Sequence, residues 1–312
     1  MAKVLITGGA GFIGSHLAEA LLEDGNSVEI FDNLSTGHLS NLEAFRDRIT
    51  FTEADLRDAS AVSSSVAGKD YVFHEAALAS VPRSVKDPLA SNDVNVNGTL
   101  NLLIAARDAG VRRVIYAASS SAYGNTEVSP KHEALPSNPL SPYAVTKLVG
   151  EQYCRAFYEV YGLETLSIRY FNVFGPRQDP DSPYSAVIPI FASHVLDGKS
   201  PTIHGDGEQT RDFTYVKNVV AGNMRAMAAE NVRGETVNVA CGGSYSVNYL
   251  FRSICDYYGS SMKAKYSDSR PGDVRDSCAD ISKARELLSY EPVASFEEGL
   301  KATLDWYRSL GS

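Results

Sequence analysis

Apolar positions along the chain follow two periods. Short runs rich in β-branched residues occur at Val4 to Thr7, Ser27 to Phe31, Ile49 to Glu53, Tyr71 to His74, Val114 to Ser119 and Glu164 to Arg169. Between them lie stretches with helical spacing, such as Ser15 to Glu23, Val94 to Ala109 and Tyr143 to Tyr161. This alternation predicts an α/β fold, a doubly wound parallel sheet of the Rossmann type with helices on both faces. The second half is patchier. Strand-like Thr202 to His204, Asp212 to Tyr215 and Thr236 to Val239 interleave with helical Asn218 to Ala229 and Val247 to Tyr258, predicting a smaller mixed α/β lobe. Pro176, Pro180 and Pro183, between Phe174 and Tyr184, mark the change. We divide the chain softly into a first domain, 1–172, and a lobe, 173–312, with some later segments able to return to the first domain. Two such lobes commonly hold a ligand between them.

Composition narrows the class. A chain of 312 residues, 44% hydrophobic and 21% charged, can bury a sizeable core. The net charge of -9 is spread along the chain without a block of like charge, so no nucleic-acid partner is expected. No run approaches the roughly 20 apolar residues of a membrane span. The first residues read as a strand entering a functional loop, leaving nothing for a signal peptide. Cys154, Cys241, Cys255 and Cys278 lack disulfide-dense spacing and read as structural thiols of a cytoplasmic protein. The six histidines include no His-x-x-x-His pair, so no metal is expected.

The first strand runs into Gly8-Gly9-Ala10-Gly11-Phe12-Ile13-Gly14, followed by a helix. Gly9, Gly11 and Gly14 fit G-x-G-x-x-G, and Gly8, Gly11 and Gly14 fit G-x-x-G-x-x-G. Such glycines let a pyrophosphate approach the backbone at a helix N-terminus. The motif alone is weak. It gains weight from the strand before it, the helix after it and Asp32 at the tip of the second strand. Asp32 is placed to accept both adenosine ribose hydroxyls and to repel the additional phosphate of NADP, which favours NAD. Asp55-Leu56 could meet the adenine edge, or Asp55 could simply cap a helix.

Tyr143 and Lys147 form the only Tyr-x-x-x-Lys, at i and i+4 on one helical face. An ammonium and a positive nicotinamide ring near a phenol should lower its pKa towards neutrality, making Tyr143 a general base. Ser119-Ser120-Ser121 ends the Val114 to Ala118 run, at the carboxyl edge where open α/β sheets bind ligands.

Here the chain resembles the nucleotide-sugar epimerases and dehydratases of the extended short-chain dehydrogenase/reductase family, particularly the UDP-glucose and UDP-N-acetylglucosamine 4-epimerase type. The resemblance rests on the glycine turn, Asp32-Asn33-Leu34-Ser35, His74-Glu75-Ala76-Ala77, Ser119-Ser120-Ser121-Ala122-Tyr123-Gly124, Tyr143-Ala144-Val145-Thr146-Lys147 and Arg169-Tyr170-Phe171-Asn172, in order. It implies catalysis by Ser119, Tyr143 and Lys147. It adds Phe12, Ile13, Asn33, Ser35, Thr36, Gly37, Leu56, Ala76, Ala77, Ala79, Asn95 and Tyr170 to the NAD contacts. For a UDP-sugar it implies Ser80, Ser119, Ser120, Ser121, Tyr143, Asn172, backbone contacts from Ala186 and Val187, and Arg211 and Arg270 on the diphosphate.

Within such a family, dehydratases carry an Asp-Glu pair where this chain has Ser120 and Ser121, and decarboxylases commonly carry Glu at the second position. Elimination therefore lacks its proton donor here. The resemblance implies 4-epimerisation through a transient 4-keto sugar. A UDP-glucuronate 4-epimerase or decarboxylase, and a non-catalytic NAD-binding regulator, are the alternatives. Ser277, seven residues after Arg270, stands where family epimerases gate the pocket. A small residue there implies entry of 2-acetamido sugars as well as plain hexoses, the alternative being a small exposed residue without such a role. The apolar faces of Val94 to Ala109 and Tyr143 to Tyr161 imply a homodimer through a four-helix bundle.

Overall fold

The computed structural model describes residues 1–179, 186–268 and 275–310. Pro180, Pro183 and Tyr184 of the boundary and the Arg270 to Asp273 segment lie outside them.

Six strands ascend in the first half: β1 (Lys3–Thr7), β2 (Ser27–Asp32), β3 (Ile49–Glu53), β4 (Tyr71–His74), β5 (Arg113–Ser119) and β6 (Glu164–Tyr170). All pair in parallel, and the strand Glu235–Val239 completes a seven-stranded sheet on the far side of β6. The order is Glu235–Val239, β6, β5, β4, β1, β2, β3. The sequence places Glu235–Val239 in the smaller lobe. It returns to the large sheet because Val237 and Val239 are wholly buried in the core on one sheet face.

Strand side chains alternate between faces. Val4 and Ile6 enter one core while Leu5 enters the other, and Ile115 and Ala117 are separated in the same way from Val114, Tyr116 and Ala118. Burial on both faces explains why the strands read as continuous apolar runs rather than alternating ones. A third core lies in the second half of the chain, with Phe174, Phe191, Phe213, Tyr215, Phe251 and Phe296 among its members.

The expected strand Asp212 to Tyr215 is instead two short pieces, Thr210–Arg211 and Thr214–Tyr215. Asp212 interrupts it because its carboxylate accepts the backbone N–H groups of Cys241, Gly242 and Ala279 at 3.2, 3.0 and 3.1 Å. The Val94 to Ala109 helix opens with a π-turn over Asp93–Asn97 before Gly98–Asp108.

A buried cation ties β5 and β6 to a helix from the second half of the chain. Arg113, 1% exposed, pairs with Glu164 at 2.6 Å and donates to the carbonyls of Ala226 and Met227. Those carbonyls end the helix Val216–Ala228 and have no intrahelical partner, so a buried cation satisfies them.

The helix Pro142–Tyr161 crosses β5 closely at Gly150, where an added Cβ would stand 2.2 Å from the Tyr116 hydroxyl. Tyr116 is buried in a strand interior and cannot move aside. Gly150→Ala should therefore lower unfolding free energy by about 1–3 kcal/mol, and Tyr116→Phe in that background should recover part of the loss. Denaturant midpoints of wild type and the two variants test this.

Candidate active site

All strands of the sheet end at one edge, so residues far apart in the chain meet there. After β1 the backbone turns at Gly8, with φ +73°, and α1 (Phe12–Glu23) begins without a side-chain cap. Its first N–H groups are left for a ligand. The glycines are steric requirements: a Cβ on Gly8 would lie 2.6 Å from Ala76 N, and one on Gly14 would lie 2.3 Å from Gly8 O.

Above this turn lies a cavity of about 280 Å³. Its wall contains Gly8, Gly11, Phe12, Ile13 and Gly14 from the turn, and Asp32, Asn33, Ser35 and Thr36 from the end of β2. Asp55 and Leu56 line it after β3, and Ala76, Ala77 and Ala79 after β4. Gly37 packs behind them, where a Cβ would stand 3.0 Å from Ala10 and from the Asp32 carboxylate. Asp32 accepts from Ala10 N at 3.0 Å and Leu34 N at 2.8 Å. Burial pushes its carboxyl up, and these two N–H groups oppose that. Asp55 is clamped by Arg57 and receives Asn33 Nδ2 at 2.8 Å, which holds it well below the usual carboxylate range.

Asn95 uses its amide on the chain itself. Its Oδ1 accepts from Leu78 N at 2.8 Å, and its Nδ2 donates to Thr146 Oγ1 at 3.0 Å, tying the loop that lines the cavity to the helix Pro142–Tyr161. His74 supports the same loop. Thr99 Oγ1 spends its proton on Asn95 O at 2.6 Å, so His74 Nε2 must donate to Thr99 and its Nδ1 must accept from Thr7 Oγ1 at 2.7 Å. Burial drives the imidazole pKa down to about 3, keeping it neutral.

The helix Pro142–Tyr161 starts with Ser141 accepting from Ala144 N and Pro142 in the first turn, so Tyr143 stands at its N-terminus. Tyr143 N donates to Ser84 Oγ at 3.0 Å. One turn on, Lys147 Nζ donates to Ala117 O at 2.7 Å and sits 5.0 Å over the Tyr116 ring. Ser119, two residues beyond Ala117, lies near enough to the Tyr143 phenol to hold its pKa down against burial. Ser119 is bonded by Ser121 Oγ at 2.8 Å, while Ser120 opens the short helix Ser120–Tyr123. The three residues singled out from the sequence thus converge.

The chain alone does not lower the Tyr143 pKa, a shift expected from Lys147 together with a positive nicotinamide ring. Burial pushes the phenol up, and Ser119 alone works against it. Lys147 turns onto Ala117 O and the Tyr116 ring, and burial brings its own pKa down to about 8. The Tyr-Lys pair does not by itself produce the low phenol pKa.

A second cavity, of about 490 Å³, belongs to the smaller lobe and is lined by Asn172, Ala186, Val187 and Arg211. Asn172 takes a positive φ of 35° and donates to Asp212 O at 3.2 Å. Ser277 is buried and lies in register with Arg211, so it is not a freely exposed residue. Ser80 caps the short helix Val81–Lys86 through Arg83 N. Arg270 lies outside the described residues. Among the described residues no group of three His, Cys, Asp or Glu could hold a metal, and no helix is long and apolar enough to cross a membrane.

Sequence reading passed over His194, His204 and Gln209, which also line the second cavity. It also passed over Glu75, which lines the first cavity and accepts the Tyr170 hydroxyl at 2.7 Å. A carboxylate at the carboxyl edge of a strand, inside the quoted His74 to Ala77 motif, was the available signal.

Residues 4–240 match the family described as the NAD dependent epimerase/dehydratase family. The chain belongs to that family. A putative UDP-glucose 4-epimerase of Methanocaldococcus jannaschii is 40% identical over 309 residues, covering 98% of each chain. A UDP-N-acetylglucosamine 4-epimerase from Methanobrevibacter ruminantium, solved with UDP-N-acetylmuramic acid, is 45% identical with a TM-score of 0.95 over 99% of each chain. A UDP-glucose 4-epimerase from Thermotoga maritima, solved with UDP-glucose, is 39% identical with a TM-score of 0.94, covering 99% of this chain and 100% of that one. The family's cofactor is NAD, and the first cavity fits it: the glycine turn leaves backbone open where a Cβ would collide, and an acidic side chain stands at the end of β2.

Asp32→Asn removes the charge and keeps one acceptor oxygen, so that one of the Ala10 and Leu34 N–H groups loses its partner. It should raise NADP binding relative to NAD by about ten-fold or more, as one lost charge repulsion allows, measured by titration with each cofactor.

Proposed function

We propose that this protein is a UDP-hexose 4-epimerase that interconverts UDP-glucose with UDP-galactose and UDP-N-acetylglucosamine with UDP-N-acetylgalactosamine. The observation carrying this reading is the convergence of Ser119, Tyr143 and Lys147 beside the cofactor cavity, with hydroxyls rather than carboxylates at 120 and 121.

Bound NAD would supply a reversible hydride acceptor and a positive charge that favours the Tyr143 phenolate. Tyr143 removes the proton of the sugar 4-hydroxyl and later returns it, while Ser119 donates to the same oxygen and holds it in place. Lys147, seated on Ala117 O, would keep positive charge at the site and would hold the nicotinamide ribose. Arg211, carried by a strand that Asp212 locks to the Cys241 to Gly242 turn and to Ala279, holds the diphosphate while the keto sugar turns over. Asn172 and the backbone of Ala186 and Val187 complete that subsite, and the small Ser277 leaves space for an acetamido group. No acid stands at 120 or 121 to expel a 6-hydroxyl, which favours epimerisation over elimination. Convergence of all three catalytic residues argues against a purely regulatory NAD-binding role.

Ile104, Val145, Val160 and Tyr161 are exposed on the helices Gly98–Asp108 and Pro142–Tyr161. We assign this face to a second copy of the chain, pairing as a four-helix bundle, and we place the protein in the cytoplasm. Sedimentation should report twice the chain mass, and Val160→Glu should shift it towards the monomer.

Incubation with UDP-glucose, UDP-N-acetylglucosamine or UDP-glucuronate without added reductant should equilibrate the first two with their 4-epimers, followed by NMR. Turnover of glucuronate alone would replace this reading with the uronate one. Tyr143→Phe should lower the rate by about 10²–10⁴-fold while NAD stays bound. Near-normal turnover in that variant would sink the mechanism.

A further inference from the structure

Glu75 is a carboxylate that the mechanism above does not use. It follows β4 directly, with its N–H bonded to Thr7 O at 3.1 Å, so its backbone sits beside the glycine turn. Its side chain does not stay there. β4 is separated from β6 by β5, and Glu75 reaches the Tyr170 hydroxyl at the end of β6 at 2.7 Å. In register, Tyr170 stands opposite Ser119. The Glu75–Tyr170 bond therefore spans the end of the strand that carries Ser119, while Glu75 remains part of the cofactor cavity wall. Asp32 and Asp55 occupy the other end of that cavity, after β2 and β3. Glu75 thus belongs to the end where proton and hydride leave the sugar.

Its hydrogen bonding is directional. Asn223 Nδ2 donates to the Tyr170 oxygen at 2.8 Å, and Tyr170 passes its own proton towards Glu75. The chain Asn223, Tyr170, Glu75 ends on an acceptor, as an ionised carboxylate requires. Among the described residues, the titratable groups facing Glu75 are Tyr170 on β6 and Lys147 on the helix Pro142–Tyr161. His74, next to it on β4, is held neutral, and Asn223 carries no charge.

We propose that Glu75 is the charge-compensating acid of the cofactor site: ionised, it stabilises the oxidised, positively charged nicotinamide ring, and it takes a proton from solvent when that ring has become neutral. The proton goes back when the hydride returns to the sugar, so no net proton is consumed over a turnover. No bond to the cofactor is made or broken. The inference rests on the reading that this cavity holds NAD.

The energetics match the task. Burial raises the Glu75 carboxyl to about 7, with the Tyr170 bond and Lys147 pulling against it. At that value a nearby charge decides whether the proton is on or off. The sign follows: as pH rises through neutrality Glu75 ionises, and the site should hold NAD+ more strongly relative to NADH. Lys147, near 8, loses its charge at higher pH and acts in the same direction, so the two contributions must be separated by substitution.

The intact chain is equilibrated with a defined mixture of NAD+ and NADH at several values between about pH 5.5 and 9, and the bound ratio is read from the near-ultraviolet absorbance of the reduced ring. Wild type should gain about ten-fold in bound NAD+ over NADH across neutrality, the effect of one pKa unit of coupling. Glu75→Gln should abolish that rise and keep only the one at higher pH due to Lys147. Tyr170→Phe, which removes a bond favouring the carboxylate, should move the midpoint upward. A wild-type ratio that is flat through neutrality, or a Gln variant with the wild-type profile, overturns the proposal. If Glu75→Gln does not fold, an unmoved midpoint in Tyr170→Phe overturns it instead. Failure of wild type to bind either form would overturn the NAD reading itself, an outcome distinct from binding with a flat ratio.

Discussion

The seating of the Lys147 ammonium on the edge of the sheet is the contact on which the working part of this molecule depends. Its Nζ donates to Ala117 O at 2.7 Å and rests against the Tyr116 ring, and the Tyr116 hydroxyl donates back to the Lys147 carbonyl at 3.3 Å. This locks the helix that carries Tyr143 to the strand that carries Ser119. Gly150, one turn beyond Lys147, lets the two elements come that close. A buried ammonium without such partners would cost several kcal/mol or lose its proton. With them, the charge is retained where a phenol and a hydroxyl must exchange a proton.

Around that contact, burial does most of the electrostatic work. His74 is driven neutral, Glu75 is held near 7, Lys147 is brought to about 8, and the Tyr143 phenol is raised. Two of these groups, Glu75 and Lys147, lie close enough to neutral pH to respond to the arrival or departure of one charge by moving protons. The proposed epimerisation would use such a response, because the charge of the hydride acceptor would change twice in each turnover.

The smaller lobe depends on a different buried carboxylate. Asp212, raised to about 6 by burial, gathers three backbone N–H groups from two separate segments, and in doing so sets the strand that carries Arg211 beside Ser277. The two cavities are therefore built in opposite ways. One offers open backbone at glycines, and the other offers side chains fixed by a central anion.

Much of this was legible in the residues alone. Period and composition determined the parallel sheet, since strands buried on both faces must be continuously apolar, and most of the predicted strand limits agree with the structure to within a residue or two. The glycine turn, Asp32 and the Tyr143 to Lys147 spacing were legible because each is a local arrangement, set by a turn or by one helical face. Tertiary structure decided what depends on neighbours distant in sequence. Glu235–Val239 joined the large sheet because its valines found a core there, and the Asp212 segment broke because its carboxylate found N–H groups elsewhere. Glu75 acquired its position from a tyrosine 95 residues away. The direction of every buried pKa was likewise out of reach of the sequence, because desolvation is a property of what surrounds a group and only the folded chain specifies that.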